Sequence, residues 1–300
     1  MRSSPTVPPS SPAPGPSTVA RDALRQHALD QGIAAVDLPG VGVTDRRVRL
    51  DGAYNFRDIG GLVGADGRRV RTGRVYRSDH LNDLSDADLG VIGALGLRAI
   101  HDFRLDSEVE RQPSRLPTDP PIDVIRCPTG DVPGDTSAVD VVRDILAGLR
   151  PVPPADFWDE NYLLMLAAGQ PMFATVMASL ARPEGLPAMY HCTGGKDRTG
   201  ISTALLLELL GVADNDIIDD FLLTNLYRTP YRVAALRDGL AANGVDVVAT
   251  IPIIGVCRSA MERARGELRT TYGGAEGYLV GGGLDPAVPH RLRDLLLEPA

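Results

Sequence analysis

The sequence predicts an α/β fold, with a central sheet flanked by helices and a helical C-terminal half. Two observations carry this. Short apolar runs alternate with helical stretches up to about residue 210, and from residue 217 onward the pattern is helical. The size agrees: 300 residues, 43% hydrophobic and 23% charged, are enough for a sizeable core in one large domain or two small ones.

Residues 1–20 hold six prolines, five serines and a single charged side chain, Arg2, and read as a disordered tail. The remainder, 21–300, reads as one domain, opening with a short amphipathic helix at Ala23–Leu29. Strands are expected at Tyr54–Ile59 and Arg74–Arg77, with Asp66-Gly67 as the tight turn between them. Ser85 caps a helix that runs to about Leu95, where Gly96 ends it. Arg98–Phe103 and Ile122–Cys127 read as buried strands. Residues 128–154 form a loop-rich insert, lid-like or a linker, around one short helix at Ala138–Leu149. Helices follow at Phe157–Ala168 and Met172–Leu180, then a strand at Pro187–Tyr190 and an apolar helix at Ile201–Leu210, closed by Gly211. Ile217–Tyr227, Arg232–Ala242, Ser259–Tyr272 and Arg291–Leu297 complete the helical half.

Composition excludes several functions. The formal charge is −8, from 31 basic and 39 acidic side chains, which disfavours nucleic-acid binding. Any phosphate must therefore be held in a local pocket. Cys127, Cys192 and Cys257 are too few for a disulfide framework, and the absence of CxxC, HxH and HExxH spacings speaks against a metal site. No cofactor is implied. The N-terminus lacks the apolar segment of a cleaved signal, and no uncharged apolar run is read as reaching the ~18–20 residues of a membrane span. A cytoplasmic protein without integral membrane association is expected, with export by another route left open. Lys196 is the only lysine in the chain.

That lysine lies in His191-Cys192-Thr193-Gly194-Gly195-Lys196-Asp197-Arg198-Thr199-Gly200, a glycine-containing loop between an apolar strand and an apolar helix. Amides at a helix N-terminus, with glycines permitting close approach, make an anion cradle. A Walker loop is excluded, because it needs Gly at Tyr190 and Ser or Thr at Asp197, and no GxGxxG is present. What remains is Cys192 and, after five intervening residues, Arg198. A thiol facing amides and a guanidinium ionises readily; moving its pKa from about 8.5 to 5–6 corresponds to roughly 4 kcal/mol. The thiolate can attack phosphorus while Arg198 grips two equatorial oxygens. Thr193, Gly194, Gly195, Lys196, Asp197, Arg198 and Thr199 line the cradle. Thr199 can hydrogen-bond the departing sulfur, and Lys196 can reach an additional phosphate. Spacing alone is not decisive: Cys257 and Arg263 repeat it, but in a glycine-free helical segment.

The loop resembles the active-site signature of the bacterial atypical protein-tyrosine phosphatases. Asn55-Phe56-Arg57-Asp58-Ile59-Gly60-Gly61, Tyr76-Arg77-Ser78, Asp102-Phe103-Arg104 before a Glu-containing helix, and Tyr272-Gly273-Gly274 through Tyr278-Leu279 extend the resemblance over about residues 45–298. It implies a cysteine-phosphatase-like sheet and a metal-independent phosphomonoester hydrolase. This enzyme would act on phosphotyrosine proteins through a phosphocysteine, with phosphoserine, phosphothreonine and phosphoinositides as further substrates of some members. A phosphoinositide phosphatase, a catalytically dead phospho-ligand module and a sulfur-transfer enzyme are the alternatives. The resemblance also requires an acid for the leaving oxygen. There is no Trp-Pro-Asp, since the only tryptophan, Trp158, precedes Asp159. The analogous place is the loop after Ile122–Cys127, where Asp131 lies; Asp135 and Asp197 compete, and Asp197 could instead orient the arginine. His191 is expected to tune the loop, Arg57 and Asp58 to pair near the pocket floor or for structure alone, and Arg104 to brace the sheet. Oligomeric state is left open.

Overall fold

The computed structural model describes residues 38–40, 44–129, 138–154 and 156–299. The expected tail and the helix at 23–29 lie outside them.

Five strands form the main sheet. They are β1 (Arg57–Asp58), β3 (Val75–Ser78), β4 (Ala99–Asp102), β5 (Asp123–Arg126) and β6 (Ala188–His191), in the order β1-β3-β6-β4-β5. β3, β6, β4 and β5 are parallel, and β1 runs antiparallel to β3. A separate ribbon pairs β2 (Arg69–Val70) with β7 (Leu297–Glu298). Alternation within each strand decides what faces what. The register row Val75–Ala188–Ala99 joins the larger apolar core, and the next row, Tyr76–Met189–Ile100, joins a second core on the opposite face. With both faces covered, β3, β4 and β6 are buried at every position.

Helix α1 (Asp86–Ala94) covers the second core through Ile92. Its start is a capping box: Ser85 Oγ accepts from the Asp88 amide at 3.2 Å, and the Asp88 carboxylate accepts from the Ser85 amide at 2.9 Å. Gly96, at φ +62°, ends it as the sequence predicts. Next come α2 (Asp106–Arg111), α3 (Ala138–Leu146), α4 (Phe157–Leu180) and α5 (Asp197–Leu209). After them follow α6 (Asp214–Tyr227), α7 (Thr229–Ala242), α8 (Val247–Ile254), α9 (Arg258–Tyr272), α10 (Ala275–Gly281) and α11 (Val288–Leu296). Eleven residues of α5 are buried, Arg198, Thr199, Ser202 and Thr203 among them, so it is a core helix enclosed on all sides rather than one with a solvent face.

Four expectations need correction. α4 is one helix, not two: it passes through Pro171 because Leu166, Phe173, Val176, Met177 and Leu180 are all buried in the larger core. The Tyr278 hydroxyl also donates to the Leu166 carbonyl (2.6 Å), one residue before the carbonyl that Pro171 leaves without its helical partner. By length and composition α4 could cross a membrane, contrary to the sequence reading, but its buried face belongs to the core. β5 is an edge strand paired only with β4 and is exposed to half-buried, not buried, with Val124 40% exposed. Arg57 and Asp58 do not pair, because neighbours on a strand point to opposite faces. Arg57 turns to Asp220, while Asp58 accepts from the Gly60 and Gly73 amides.

Candidate active site

Ser78, His191 and Asp102 lie in one register row, so β3, β6 and β4 end level with one another. The segment after β6 is thereby clasped from both sides. The Phe103 amide donates to the His191 carbonyl (2.9 Å), and the His80 amide donates to that of Thr193 (3.2 Å). Residues 192–196 then curl into the first turn of α5, at the C-terminal end of the central strand, a common ligand position in parallel α/β sheets.

Cys192 is 1% exposed, and the Thr199 hydroxyl points at its Sγ from 3.2 Å. Arg198 is held as a planar clamp, its Nη1 and Nη2 donating to the Glu108 carboxylate at 2.7 and 2.9 Å. Nη1 also donates to the Phe103 carbonyl at 3.0 Å, and Thr193 Oγ1 donates to Glu108. Burial opposes both charges of this pair. The mutual hydrogen bonds outweigh it, holding the Glu108 carboxyl at about 2 and, with the Cys192 sulfur, raising the Arg198 pKa above the ordinary arginine value. Glu108 was not singled out from the sequence. Its signal was its place in the helix after Asp102-Phe103-Arg104, within the stretch of resemblance.

His191 is buried, with Nδ1 3.3 Å from the Cys192 carbonyl oxygen, and burial lowers its pKa to about 4. It is thus neutral at pH 7. Arg104 braces the end of β4 as expected, donating to both Asp102 oxygens, the Gln112 carbonyl and Ser114.

Lys196 is placed differently from the expectation of a free second cation. Its Nζ donates to the carbonyls of Ile253 (2.6 Å) and Gly255 (3.2 Å) at the end of α8 and stands 4.5 Å from the Trp158 ring centroid. It also lies 3.5 Å from Asp197 Oδ2, and burial lowers its pKa. Asp197 Oδ1 accepts from the Tyr162 hydroxyl at 2.9 Å. Burial and the Asp197 charge raise the Tyr162 pKa, so the phenol keeps that proton. Behind Gly194 lies a cation the sequence did not mark: a Cβ there would meet Lys196 Cγ at 3.1 Å and Arg228 Cζ at 3.7 Å. Cys127 is fully buried, its thiol pushed up to about 12. Cys257 precedes α9, its Sγ 4.0 Å from the Pro252 carbonyl.

Asp131 and Asp135 lie outside the described residues. Thr129, two residues before Asp131, has its carbonyl 3.5 Å from Arg198 Nη1. Among the described residues no group of His, Cys, Asp and Glu is arranged to hold a metal ion.

The site thus brings together a buried cysteine, a threonine hydroxyl aimed at its sulfur, and an arginine clamped at the close of the same loop. Residues 48–298 match the sequence model of the tyrosine phosphatase family, and the chain belongs to it. A candidate tyrosine-protein phosphatase of Cupriavidus necator is 34% identical over 85% of this chain and 90% of its own length. The triple specificity protein phosphatase PtpB of Mycobacterium tuberculosis is 28% identical over 83% of this chain and 98% of its own. A solved structure of TpbA from P. aeruginosa aligns with 62% of this chain and 88% of its own at 15% identity and a TM-score of 0.32. The chain is accordingly a protein-tyrosine phosphatase, a hydrolase of phosphoric monoesters.

Proposed function

We propose that the protein dephosphorylates phosphotyrosine in proteins through a phosphocysteine on Cys192. The observation that carries this is the Thr199 hydroxyl, in the first turn of α5, aimed at the Cys192 sulfur next to an Arg198 that Glu108 holds in place. In the first step the Cys192 thiolate attacks phosphorus. The S–P bond forms, the P–O bond to tyrosine breaks, and an acid protonates the leaving phenolate. In the second step the carboxylate left by that acid takes a proton from water, the water oxygen attacks phosphorus, the S–P bond breaks with its electrons returning to sulfur, and inorganic phosphate leaves. Thr199 stabilises the sulfur as negative charge returns to it, and Arg198 and the loop amides carry the charge of the transferring group in both steps.

Asp131 is assigned as the acid, supported by the approach of Thr129 to Arg198. Asp197 is the competing assignment, favoured by its position in the loop. Their asparagine variants separate the two. Loss of the acid slows phosphotyrosine turnover by about 10²–10⁴-fold and turnover of para-nitrophenyl phosphate much less, since that leaving group needs less help.

A phosphoinositide preference is the second reading, one that the family resemblance implies for some members. Phosphate release in EDTA from phosphotyrosine, phosphoserine and phosphothreonine peptides and from phosphoinositides ranks the substrates. Acid quench during turnover, followed by detection of phosphate on Cys192, tests the intermediate. Turnover without a trapped phosphocysteine, undiminished in Cys192→Ser, would refute the covalent route.

A further inference from the structure

Beneath the cradle, on the side away from solvent, lies a polar cluster that the reaction scheme leaves unused. Asn55, Arg57 and Arg77 are 0% exposed and Asp220 is 1% exposed. Three guanidiniums converge on the one Asp220 carboxylate. Arg77 Nη1 donates to Oδ2 at 2.8 Å, Arg57 Nε to Oδ1 at 3.3 Å, and Arg46 Nη2 to Oδ1 at 2.5 Å. Arg57 continues to the Asp220 carbonyl (2.9 Å) and to Asn55 Oδ1 (2.7 Å). Burying several cations around one anion is a poor way to gain stability alone.

The cluster reaches the loop through the Gly195 carbonyl. Arg77 Nη2 and Asn55 Nδ2 both donate to the carbonyl oxygen of Gly195, each at 2.8 Å. Two donors use both lone pairs of that oxygen and fix the plane of the Gly195–Lys196 peptide. Among the described residues the cis bonds are Asp119–Pro120 and Leu186–Pro187, so this peptide is trans, and its N–H points opposite to its carbonyl. A carbonyl drawn down into the cluster therefore turns the Lys196 amide up, toward the concave side of the loop. Gly195 is required for this geometry. Its φ is +60°, and a Cβ would strike the Ser78 carbonyl oxygen at 2.4 Å and the Asp79 nitrogen at 2.5 Å.

We propose that Arg77 and Asn55 are positioning residues of the phosphate cradle, acting through the Gly195 carbonyl to aim the Lys196 amide, with Asp220 holding Arg77 in place. The proposal rests on the phosphatase reading of the loop. It gives the resemblance motifs at Asn55 and Tyr76-Arg77-Ser78 a shared physical task.

The test compares Arg77→Met, Arg77→Lys and Asn55→Asp with wild type, measuring kcat, inhibition by vanadate and melting temperature. Arg77→Met leaves Asp220 with Arg46 and Arg57. Asn55→Asp keeps the acceptor for Arg57 and removes the donor to Gly195 and to the Thr224 hydroxyl, which can itself donate to the new carboxylate; the melting temperature reads what either variant costs the fold. Arg265→Met, which breaks a buried ion pair with Glu208 and Asp214 away from the loop, is the stability control. Arg77→Met and Asn55→Asp are expected to lower kcat and weaken vanadate inhibition by about 10–100-fold, the scale of a lost oxyanion donor, with Arg77→Lys recovering part of the loss. Arg265→Met should keep vanadate inhibition within about twofold at an equal or larger drop in melting temperature. Unchanged vanadate inhibition in Arg77→Met, or losses that follow melting temperature across all variants, would overturn the proposal. Wild-type protein that neither turns over phosphotyrosine nor binds vanadate would instead overturn the phosphatase reading itself.

Discussion

Glu108→Gln is the substitution whose consequences the geometry defines most closely. The side chain keeps its shape but gives up the charge that holds Arg198 by two hydrogen bonds of 2.7 and 2.9 Å. The Glu108 carboxyl sits at about 2 against a usual 4.5, because the hydrogen bonds and charge of Arg198 overcome burial. A folded-state pKa below the unfolded one stabilises the fold fully above the unfolded value, and the contribution is lost as pH falls through the folded value. A difference of about 2.5 units at 1.36 kcal/mol per unit gives about 3 kcal/mol at pH 7 and about 2 kcal/mol at pH 3.5. Urea unfolding of wild type and Glu108→Gln at both pH values measures this directly. Wild type should be more stable at pH 7 by roughly that amount, and the gap should narrow by about 1 kcal/mol at pH 3.5. Glu108→Gln should also lower kcat/KM by about 10–100-fold, because an unclamped guanidinium no longer meets the phosphoryl oxygens in a fixed orientation. A gap that does not change between the two pH values, or a variant with full activity, would refute the assignment of Glu108 as the residue that holds the arginine.

Cys192→Ser should abolish turnover and retain phosphate binding, measured by calorimetry, since the cradle is backbone and Arg198; Cys257→Ser should leave kcat within about twofold. Thr199→Val removes the hydroxyl 3.2 Å from the sulfur and should slow breakdown of the phosphoenzyme by about 10-fold or more, seen as a burst of phenol release before a slower steady state. Lys196→Met breaks two carbonyl hydrogen bonds and the contact with Trp158. It should cost about 1–3 kcal/mol of stability and reduce kcat/KM for phosphotyrosine peptides and phosphoinositides in parallel. A loss confined to phosphoinositides would show instead that the ammonium leaves those carbonyls to reach a second phosphate.

What could be read from the sequence, and what could not, divides along one physical line. Cys192, Arg198 and Thr199 were legible as a group because their arrangement is local: eight consecutive positions and a helix start determine which atoms meet. Ser85 and Gly96 were legible for the same reason, as caps that satisfy backbone groups within one turn. The partners of that loop come from far along the chain. Glu108 reaches Arg198 across 90 residues, Asn55 reaches Gly195 across 140, and Arg57 reaches Asp220 across 163. Nothing in periodicity predicts such meetings, which depend on β3 and β4 ending level with β6. Lys196 shows the cost of stopping at local logic. In the loop it reads as a cation for phosphate, yet the chain folds the end of α8 over it and supplies two carbonyls and an indole first. A charged side chain in a catalytic loop is thus assigned to a ligand only after the distant segments that compete for it are known. For Arg198 the distant segments that compete are Glu108, Phe103 and Thr129, all of which meet its two Nη atoms, and Nε lies outside those contacts on the edge that the proposed mechanism gives to phosphate.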